Sequence, residues 1–209
     1  MRFLLAMLAA AVPAYVLGSL NGAIITSYTF FRKDIREFGS GNPGLTNFYR
    51  VFGKVGALLV VIIDVLKAIA PVLFGGWVFN RYYDMMLFGQ AVSGFFVVLG
   101  HCFPVFYKFK GGKGVMAAGA IFIVLDWRIA IISWGTFIII TALTRYVSLG
   151  AIIGAAMFPP AMLLFDIGGY WEFIAVLLCA VLLIVRHQAN IRRLVAGKES
   201  KFSFRRKSE

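Results

Sequence analysis

The sequence predicts an all-α polytopic membrane protein, and three observations lead to that prediction. Apolar residues make up 61% of the 209 positions and charged residues only 14%, whereas soluble domains are roughly one-quarter charged. The apolar residues form runs close to the length of about 20 residues that crosses a bilayer as a helix. The cations lie mostly between those runs, as they do in cytoplasmic loops. A water-soluble globule of this composition would expose large apolar patches, so a soluble fold is excluded.

Seven apolar runs define the order of the expected helices. The first continues to about Phe31 and is followed by Arg32, Lys33 and Arg36, so we interpret it as a retained span and not as a cleavable signal peptide. The fourth run is short, since it covers about 16 Å of a bilayer core of about 30 Å. Either the loop before it dips into the membrane, or the fourth and fifth runs form a hairpin that does not cross. We therefore expect seven spans, with five as the alternative, from runs at 3–31, 51–79, 85–107, 115–125, 129–143, 147–165 and 170–185.

Charge predicts the orientation of the chain. The formal net charge is +12, with 21 Lys and Arg residues. Only Arg2, Arg81 and Arg128 fall in one alternate set of loops, Lys67 lies inside a span, and the remaining cations fall in the opposite set. The positive-inside rule assigns that richer set to the cytoplasm, with the N-terminus outside and the C-terminus inside. The chain would then end in a basic cytoplasmic tail, 198–209.

The first polar motif, GSGNPGLTNFYR at positions 39–50, interrupts the apolar pattern between the first two runs. Asn42 and Pro43 resemble an N-cap followed by proline at the first helical position. The second span would then begin inside the motif. The free N–H groups of its first turn would suit an anion at the cytoplasmic surface.

Side chains of this motif are predicted to share one helical face. Asn47, Arg50 and Lys54 are spaced at i, i+3 and i+7. The alternative is a capped helix whose Arg50 and Lys54 side chains reach the lipid headgroups. That alternative does not account for the small polar residues Ser40 and Thr46 beside Asn47, so a binding role is kept for the motif.

The second polar motif, GHCFPVFYKFKGGKG at positions 100–114, contains a glycine-rich turn around one lysine. Its glycines would let backbone amides approach phosphate oxygens, and the lysine would supply a positive charge. The alternative is an ordinary cytoplasmic loop with interfacial aromatic residues and lysines. His101 alone is interpreted as a structural hydrogen-bonding residue. The turn consists of Gly111, Gly112, Lys113 and Gly114.

The third polar motif, HQANIRRLVAGKE at positions 187–199, lies where the last span leaves the membrane. His187, Asn190, Arg193 and Leu194 are predicted to share one helical face. A basic segment on anionic lipid explains the other cations of the tail, but it gives no reason for His187 and Asn190. All three motifs fall on the same predicted side and combine small polar donors, glycines and cations. We therefore predict a site for one or two phosphates at the cytoplasmic interface.

Other polar residues receive structural interpretations. Asp64 and Lys67 have opposite charge and lie three positions apart inside a span, so we expect them to neutralise each other, although such residues are functional candidates by default. Cys102 and Cys179 are expected to be small buried residues and not a disulfide framework. Metal sites need several His, Cys, Asp or Glu side chains together. The motifs do not supply them, so no metal is expected.

The three motifs together resemble those of the bacterial membrane-integral glycerol-3-phosphate acyltransferases that use acyl phosphate as donor. The family motifs read G-S-G-N-x-G-x-T-N-x-x-R, then G-H-x-x-P-x-F-x-x-F-x-G-G-K-G-V, then H-x-x-N-I-x-R-L with a following G-x-E. All three occur here in the same order and on the predicted side of the membrane. One departure is that Met116 and Ala117 follow Val115, where the family usually has Ala-Thr.

The resemblance implies that the 1-hydroxyl of glycerol 3-phosphate attacks the acyl carbon of a long-chain acyl phosphate, giving lysophosphatidic acid and phosphate. It implies seven spans in the bacterial inner (plasma) membrane, with the active site facing the cytoplasm. No coenzyme A, carrier protein, metal or other cofactor is implied. Residues 1–209 would form a single acyltransferase domain in contact with membrane lipid and not with nucleic acid.

The motifs also assign residues to the site, position by position. Ser40, His187 and Asn190 would act in catalysis. The acceptor of the hydroxyl proton stays open between His187 and a phosphate oxygen of the substrate. Nearby positive charge weakens His187 as a base, which favours a hydrogen-bonding, positioning role for it. The substrates and their phosphates would be bound by Gly41, Asn42, Thr46, Asn47, Arg50, Gly111, Gly112, Lys113, Gly114 and Arg193.

Two other classes of function share some of these features. A transporter for a phosphorylated anion would place its site near the bilayer midplane, on broken helices from repeated halves, and no repeat is evident. A non-catalytic lipid-binding scaffold explains the basic tail but not Ser40, Asn47 or Asn190. The other large class of glycerolipid acyltransferase carries H-x-x-x-x-D, and it is excluded because Phe106 and Arg192 stand five positions after the two histidines.

Overall fold

The computed structural model describes residues 1–202, and this part of the chain contains eleven α-helices and no β-strand. The predicted all-α class is confirmed. Arg205, Arg206 and Lys207 of the expected basic tail lie outside the described residues. The helices are α1 (Arg2–Gly18), α2 (Gly22–Phe31), α3 (Leu45–Phe52), α4 (Lys54–Tyr83), α5 (Met86–Cys102), α6 (Val115–Leu125), α7 (Trp127–Thr144), α8 (Val147–Ala156), α9 (Phe158–Leu164), α10 (Tyr170–Arg186) and α11 (Gln188–Val195).

Within residues 1–202, five helical segments are long and apolar enough to cross a membrane. α10 and α11 give a sixth candidate if they count as one span, with a bend of 54° between them. α6 has only 11 residues, as its short apolar run predicted. α7 has 18 residues and qualifies by itself. The five segments are Arg2–Phe31, Lys54–Tyr83, Met86–Tyr107, Trp127–Thr144 and Val147–Leu164.

The chain divides into two compact units, Met1–Leu125 and Asp126–Glu209. In the first unit, α1, α4 and α5 pack against one another, while α2, α3 and α6 pack on α4. Close contact between α1 and α5 depends on glycine, because a Cβ atom on Gly100 would lie 2.9 Å from the backbone nitrogen of Ser19. Small residues of this kind let helix backbones approach each other in a membrane.

The second unit is built from the remaining helices. α8 packs against α7 and α10, α9 packs against α7, α8 and α10, and α11 contacts α8 and α10. Cys179 of α10 is buried, as is Cys102 of α5 in the first unit, and both thiols lie outside any disulfide. The expectation that both cysteines are buried is therefore confirmed.

The start of the second span differs from the sequence prediction. A separate short helix, α3, begins at Leu45, and the span itself, α4, begins only at Lys54. The prediction of an Asn42 cap followed by Pro43 at the first helical position is therefore wrong. Pro43 stays outside the helix, and its carbonyl accepts a hydrogen bond from the Asn21 Nδ2 atom at 3.1 Å.

Gly53 separates α3 from α4. Its φ of 85° lies in the left-handed region that favours glycine, so the helix is interrupted here at little steric cost. As a consequence, Asn47 and Arg50 belong to α3 whereas Lys54 opens α4. The predicted single face of Asn47, Arg50 and Lys54 does not form.

Candidate functional site

Asn21 connects the first span to the first motif. The span is broken between α1 and α2, and Asn21 is the N-cap of α2, where its Oδ1 atom accepts a hydrogen bond from the Ile24 nitrogen at 3.0 Å. The Nδ2 atom of the same side chain donates to the Pro43 carbonyl. One buried amide therefore closes a helix end and holds the first motif. Asn21 was not among the predicted site residues, although an asparagine followed by glycine inside an apolar run is a signal for a helix break.

Asn47 organises the loop of the first motif from inside. Its side chain is buried, its Oδ1 atom accepts a hydrogen bond from the Ser40 nitrogen at 2.9 Å, and its Nδ2 atom donates to the Phe38 carbonyl at 3.0 Å. Gly39 adopts a φ of 59°, and a Cβ atom there would overlap the Asn47 side chain. Asn47 therefore shapes the loop and does not point outward together with Arg50.

The remaining predicted residues of the first motif lie on the fixed loop and on α3. Ser40 and Arg50 are exposed, whereas Gly41, Asn42 and Thr46 are partly buried. Gly41 has a φ of 70°, so this turn also depends on glycine. The loop thus presents one hydroxyl group and one guanidinium group to the surface on a backbone that Asn47 holds in place.

An ion pair just before the motif removes one positive charge from the surface. Arg36 donates to both carboxylate oxygens of Asp34, through Nε to Oδ1 at 3.0 Å and through Nη2 to Oδ2 at 2.7 Å. The hydrogen bonds from Arg36 hold the pKa of Asp34 at about 2, with a further lowering by the Tyr28 hydroxyl. Asp34 is therefore ionised at neutral pH and neutralises Arg36. This leaves Arg50 as the cation of the first motif that is available to an anionic ligand.

The glycines of the second motif are required by close backbone packing. The Gly112 nitrogen donates to the His101 carbonyl at 3.1 Å. A Cβ atom on Gly111 would overlap that carbonyl, and one on Gly112 would overlap the His101 ring and lie 3.0 Å from the Pro43 oxygen. Gly114 has a φ of 84°, and α6 begins at the next residue. The turn is thus folded against His101 and against Pro43 of the first motif.

Asp64 and Lys67 form the expected ion pair, with an Nζ–Oδ1 distance of 2.7 Å and both side chains buried. Lys67 Nζ also donates to the Leu20 carbonyl at 2.5 Å and lies 2.8 Å from His101 Nδ1. The Gly22 nitrogen donates to Asp64 Oδ1 at 3.1 Å. The Lys67 ammonium therefore lies just after the C-terminal end of α1, and the Asp64 carboxylate lies at the N-terminal end of α2. The helix dipoles favour a positive charge at the first of these positions and a negative charge at the second. His101 and the broken first span were not predicted as parts of this cluster.

His187 marks the junction between α10 and α11. It follows the last residue of α10 and precedes the first residue of α11, so the predicted single helical face of His187, Asn190 and Arg193 is interrupted at its first member. His187 is buried, and its Nδ1 atom lies 2.8 Å from the Leu183 carbonyl. Because a carbonyl oxygen only accepts, Nδ1 carries the proton, and Nε2 has a lone pair when the ring is neutral.

Glu199 accepts hydrogen bonds from two other residues of the third motif and from Ser148 of α8. Its Oε1 atom accepts hydrogen bonds from Ser148 Oγ at 2.6 Å and from Asn190 Nδ2 at 2.7 Å. Its Oε2 atom accepts from Arg193 Nε at 2.7 Å. Burial raises the pKa of Glu199, but the three donors outweigh burial and hold the pKa below its ordinary value. Glu199 was absent from the predicted site residues, although it is the glutamate of the G-x-E that closes the third motif.

The contact with Glu199 fixes the orientation of Asn190. A carboxylate only accepts, so the amide nitrogen of Asn190 must face Glu199 and its oxygen must face the other way. That oxygen is buried and has no hydrogen-bond partner among the described residues. A buried acceptor without a donor is costly. A ligand hydroxyl group could satisfy it.

We predict that Glu199→Gln lowers the thermal stability of the protein at neutral pH. The ionised carboxylate of Glu199 gains three hydrogen-bond donors on folding, and its pKa is lower in the folded protein than in the unfolded chain. The carboxylate therefore stabilises the fold fully above the ordinary glutamate pKa of 4.5. This stabilisation is lost as the pH falls through the lower pKa of the folded state. The unfolding midpoint of the variant in detergent should therefore fall by several degrees at pH 7. The difference from the parent protein should shrink below pH 4.5.

The matched control is Glu37→Gln, at an exposed carboxylate, which should leave the midpoint unchanged. An equal midpoint for Glu199→Gln and the parent protein at pH 7 would refute the role of this carboxylate.

The two units hold different parts of the predicted site. In the first unit the structure brings the first and second motifs together, where Gly112 packs against both Pro43 and His101. That unit contains Lys113 and Arg50, whose positive charges suit an anion. The second unit holds the third motif, with a buried imidazole and a buried amide oxygen. Across residues 1–202, no group of three or more His, Cys, Asp or Glu side chains is arranged to hold a metal ion.

Comparison with known proteins gives one family throughout. The family described as glycerol-3-phosphate acyltransferase matches residues 8–197. The chain is 39% identical over 198 residues to a glycerol-3-phosphate acyltransferase of Ralstonia pickettii, covering 95% of each chain. It is 40% identical over 202 residues to one of Dechloromonas aromatica, covering 95% of this chain and 98% of the relative.

Two crystal structures of PlsY (YgiH), an integral membrane glycerol 3-phosphate acyltransferase, share the fold. The glycerol 3-phosphate form superposes with a TM-score of 0.84 at 32% identity, covering 94% of this chain and 96% of that one. The lysophosphatidic acid form superposes with a TM-score of 0.79, also at 32% identity, covering 94% and 95%. The similarity therefore extends over both units.

Proposed function

Since the chain belongs to the glycerol-3-phosphate acyltransferase family, we propose that it transfers an acyl group from a long-chain acyl phosphate to the 1-hydroxyl of glycerol 3-phosphate. The products are lysophosphatidic acid and inorganic phosphate, in the first acylation step of phospholipid synthesis. The observation that carries the proposal is the similarity of nearly the whole chain to a structure in the glycerol 3-phosphate form. Residues 1–209 act as a single acyltransferase domain in this proposal.

The chemistry needs charge neutralisation more than it needs a strong acid. The hydroxyl oxygen attacks the acyl carbon, the bond from that carbon to the phosphate oxygen breaks, and the hydroxyl proton passes to a phosphate oxygen. Negative charge grows on the carbonyl oxygen and on the leaving phosphate, so fixed cations and amides stabilise the transition state. Lys113 and Arg50 supply that stabilisation in our proposal, while Gly111, Gly112 and Gly114 give the turn around Lys113 its backbone conformation.

The first motif binds substrate through its exposed side chains. Ser40 is held by the contact of its backbone with Asn47, so its hydroxyl group donates to a substrate phosphate with little loss of freedom. Gly41, Asn42 and Thr46 form the surrounding loop. This division of roles places Asn47 behind the site as a support, whereas Ser40 and Arg50 contact the ligand.

The third motif positions the attacking hydroxyl group. The orphaned Oδ1 atom of Asn190 and the lone pair on His187 Nε2 are both acceptors for a hydroxyl proton. We assign His187 and Asn190 as positioning groups and a substrate phosphate oxygen as the final proton acceptor, since phosphate has a second pKa around 6. Arg193 is bound to Glu199 through Nε, and it contributes positive charge near the substrate through the rest of its guanidinium group.

The proposed location is the bacterial inner (plasma) membrane, with several spans and the active site facing the cytoplasm. The positive-inside rule supports an external N-terminus and a cytoplasmic C-terminus. Seven spans follow if the bent pair of α10 and α11 crosses once and the short α6 also crosses. Glycerol 3-phosphate then arrives from the cytoplasm, and the acyl chain of the donor enters from the membrane.

We predict that cysteines introduced at three positions react with a membrane-impermeant thiol reagent only from the cytoplasmic side. The positions are Lys54, Lys108 and Lys201, all with exposed side chains. The native thiols are buried, so they should contribute little background. A cysteine at Arg81 is the matched control and should react from outside in intact cells. Labelling of Lys54→Cys or Lys108→Cys from outside would overturn the proposed sidedness.

The donor is tested by comparing two forms of the same acyl chain. Purified protein in detergent should acylate glycerol 3-phosphate from palmitoyl phosphate and not from palmitoyl-coenzyme A, because the proposed site neutralises a phosphate leaving group and has no element for a nucleotide. Formation of lysophosphatidic acid is the measurement. Comparable rates with both donors would reject acyl phosphate as the specific donor while leaving the family assignment intact.

A further inference from the structure

We propose that Lys67 is a positioning residue that fixes the proton of His101 on Nε2, so that this N–H group faces the point where the first and second motifs meet. The effect on catalysis rests on the proposed function, because it requires that the glycine-rich turn binds substrate. The protonation of His101 follows from the buried cluster alone.

All three N–H groups of the Lys67 ammonium have an acceptor. A lysine ammonium has three N–H groups and no acceptor. Its three neighbours are Asp64 Oδ1 at 2.7 Å, the Leu20 carbonyl at 2.5 Å and His101 Nδ1 at 2.8 Å. Each neighbour takes one N–H group, so all three donors are used in a site where an unmet donor would be costly.

The contact with Lys67 determines the protonation state of the His101 imidazole ring. Since the ammonium can only donate, His101 Nδ1 must accept, and it carries no proton. A ring without a proton on Nδ1 is neutral and holds its proton on Nε2. Asp64 Oδ1 lies 4.0 Å from His101 Nδ1, which is beyond hydrogen-bond distance. The carboxylate therefore bonds to the ammonium and to the Gly22 nitrogen and not to the ring.

The Nε2–H group of His101 lies beside the glycine-rich turn. A Cβ atom on Gly112 would overlap His101 Nε2, and the same Cβ atom would lie 3.0 Å from the Pro43 oxygen. The proton of His101 therefore faces the contact between the glycine-rich turn and the first motif. The Pro43 oxygen is held there by Asn21, which also caps α2.

The cluster thereby links the broken first span to both motif loops. Leu20 and Gly22 flank the break, and their backbone groups bind Lys67 and Asp64, respectively. The start of the second motif is tied to α1 as well, because the Tyr15 hydroxyl donates to the Phe103 carbonyl at 2.8 Å. Without Lys67, the ring could move its proton to Nδ1, and the Nε2 atom beside Gly112 would then carry a lone pair and no proton. The turn would then lose a donor that holds it in its binding conformation.

The protonation is tested by nitrogen NMR on full-length protein in detergent with ¹⁵N-labelled histidine. The chain has two histidines, so His187 serves as an internal reference. We expect His101 of the parent protein to show a pyridine-type Nδ1 and a pyrrole-type Nε2. The double variant Asp64→Leu/Lys67→Met, which removes both charges and leaves neither buried alone, should lose this pattern at His101 and keep the His187 signals. A protonated Nδ1 in the parent protein would overturn the inference.

The consequence for substrate binding is tested by kinetics on the same protein. The double variant should raise the KM for glycerol 3-phosphate by about 10-fold while kcat changes less, as expected for the loss of one hydrogen bond that supports the loop. An unchanged KM together with an unchanged NMR pattern would overturn the proposal. If the parent protein has no acyltransferase activity, the proposed function fails, and the NMR experiment still decides the protonation of His101.

A second pair of variants keeps the test decisive if the double variant does not insert. His101→Gln places an amide donor near the Nε2 position, whereas His101→Asn places its amide near the Nδ1 position. His101→Gln should therefore bind glycerol 3-phosphate more tightly than His101→Asn. Equal or reversed affinities would argue that His101 only fills space.

Discussion

Replacing Lys113 or Arg50 with alanine should lower kcat/KM by about 30-fold to several thousand-fold. Each residue is proposed to make a charge-assisted contact with substrate phosphate, and removal of one partner of such a pair costs about 2–5 kcal/mol. Lys113 is partly buried beside the glycine-rich turn, and Arg50 is exposed on α3. The measurement is the rate of lysophosphatidic acid formation at saturating and limiting glycerol 3-phosphate.

The matched controls are Lys108→Ala and Lys110→Ala, at exposed lysines of the same loop. They should stay within a few-fold of the parent protein, and all four variants should insert and purify, because neither target side chain fills the core. If Arg50→Ala retains full activity, the arginine only reaches lipid headgroups, which is the alternative that the sequence left open.

His187→Ala should lose about 100-fold to 10,000-fold in activity, the range that a positioned hydrogen-bonding or acid–base group contributes, whereas His187→Gln should retain much more. The Nδ1 atom of His187 is engaged with the Leu183 carbonyl, so Nε2 is the ring nitrogen that contacts substrate in the proposed function. Glutamine places an acceptor near that position and cannot act as a base at neutral pH. A positioning role therefore survives the change to glutamine, and a proton-accepting role does not.

The pH dependence separates the two roles further. If a substrate phosphate accepts the proton, the limb of the pH–rate profile near neutrality belongs to the substrate and should persist in His187→Gln. If His187→Gln is as inactive as His187→Ala and that limb disappears, His187 is the base. Arg193 and its ion pair with Glu199 are unchanged in both His187 variants, so they do not affect this comparison.

The class of fold and the identity of the motifs were accessible from sequence because both depend on local patterns. Apolar runs of sufficient length predict helices in a membrane whatever their neighbours are. The short run that became α6 was recognised as short for the same reason. Ser40, Arg50 and Lys113 were identified because glycines and polar residues are unexpected between such runs.

The internal supports of the site could not be predicted, because they are contacts between residues far apart in the sequence. Asn47 was expected to share a helical face with Arg50 and Lys54, yet it binds the backbone of its own loop. Gly53 ends α3 through a backbone conformation that the sequence does not specify, so the second span starts later than predicted. Asp64 and Lys67 were paired correctly, but His101 joins them only because α4 and α5 pack together.

The central claim is that acyl phosphate is cleaved by transfer to glycerol 3-phosphate. The most direct measurement is the release of inorganic phosphate from palmitoyl phosphate by purified protein, with and without glycerol 3-phosphate. Our account predicts that release requires glycerol 3-phosphate and that one phosphate appears for each lysophosphatidic acid formed. Release at the same rate without the acceptor, or release with no lysophosphatidic acid, would contradict it.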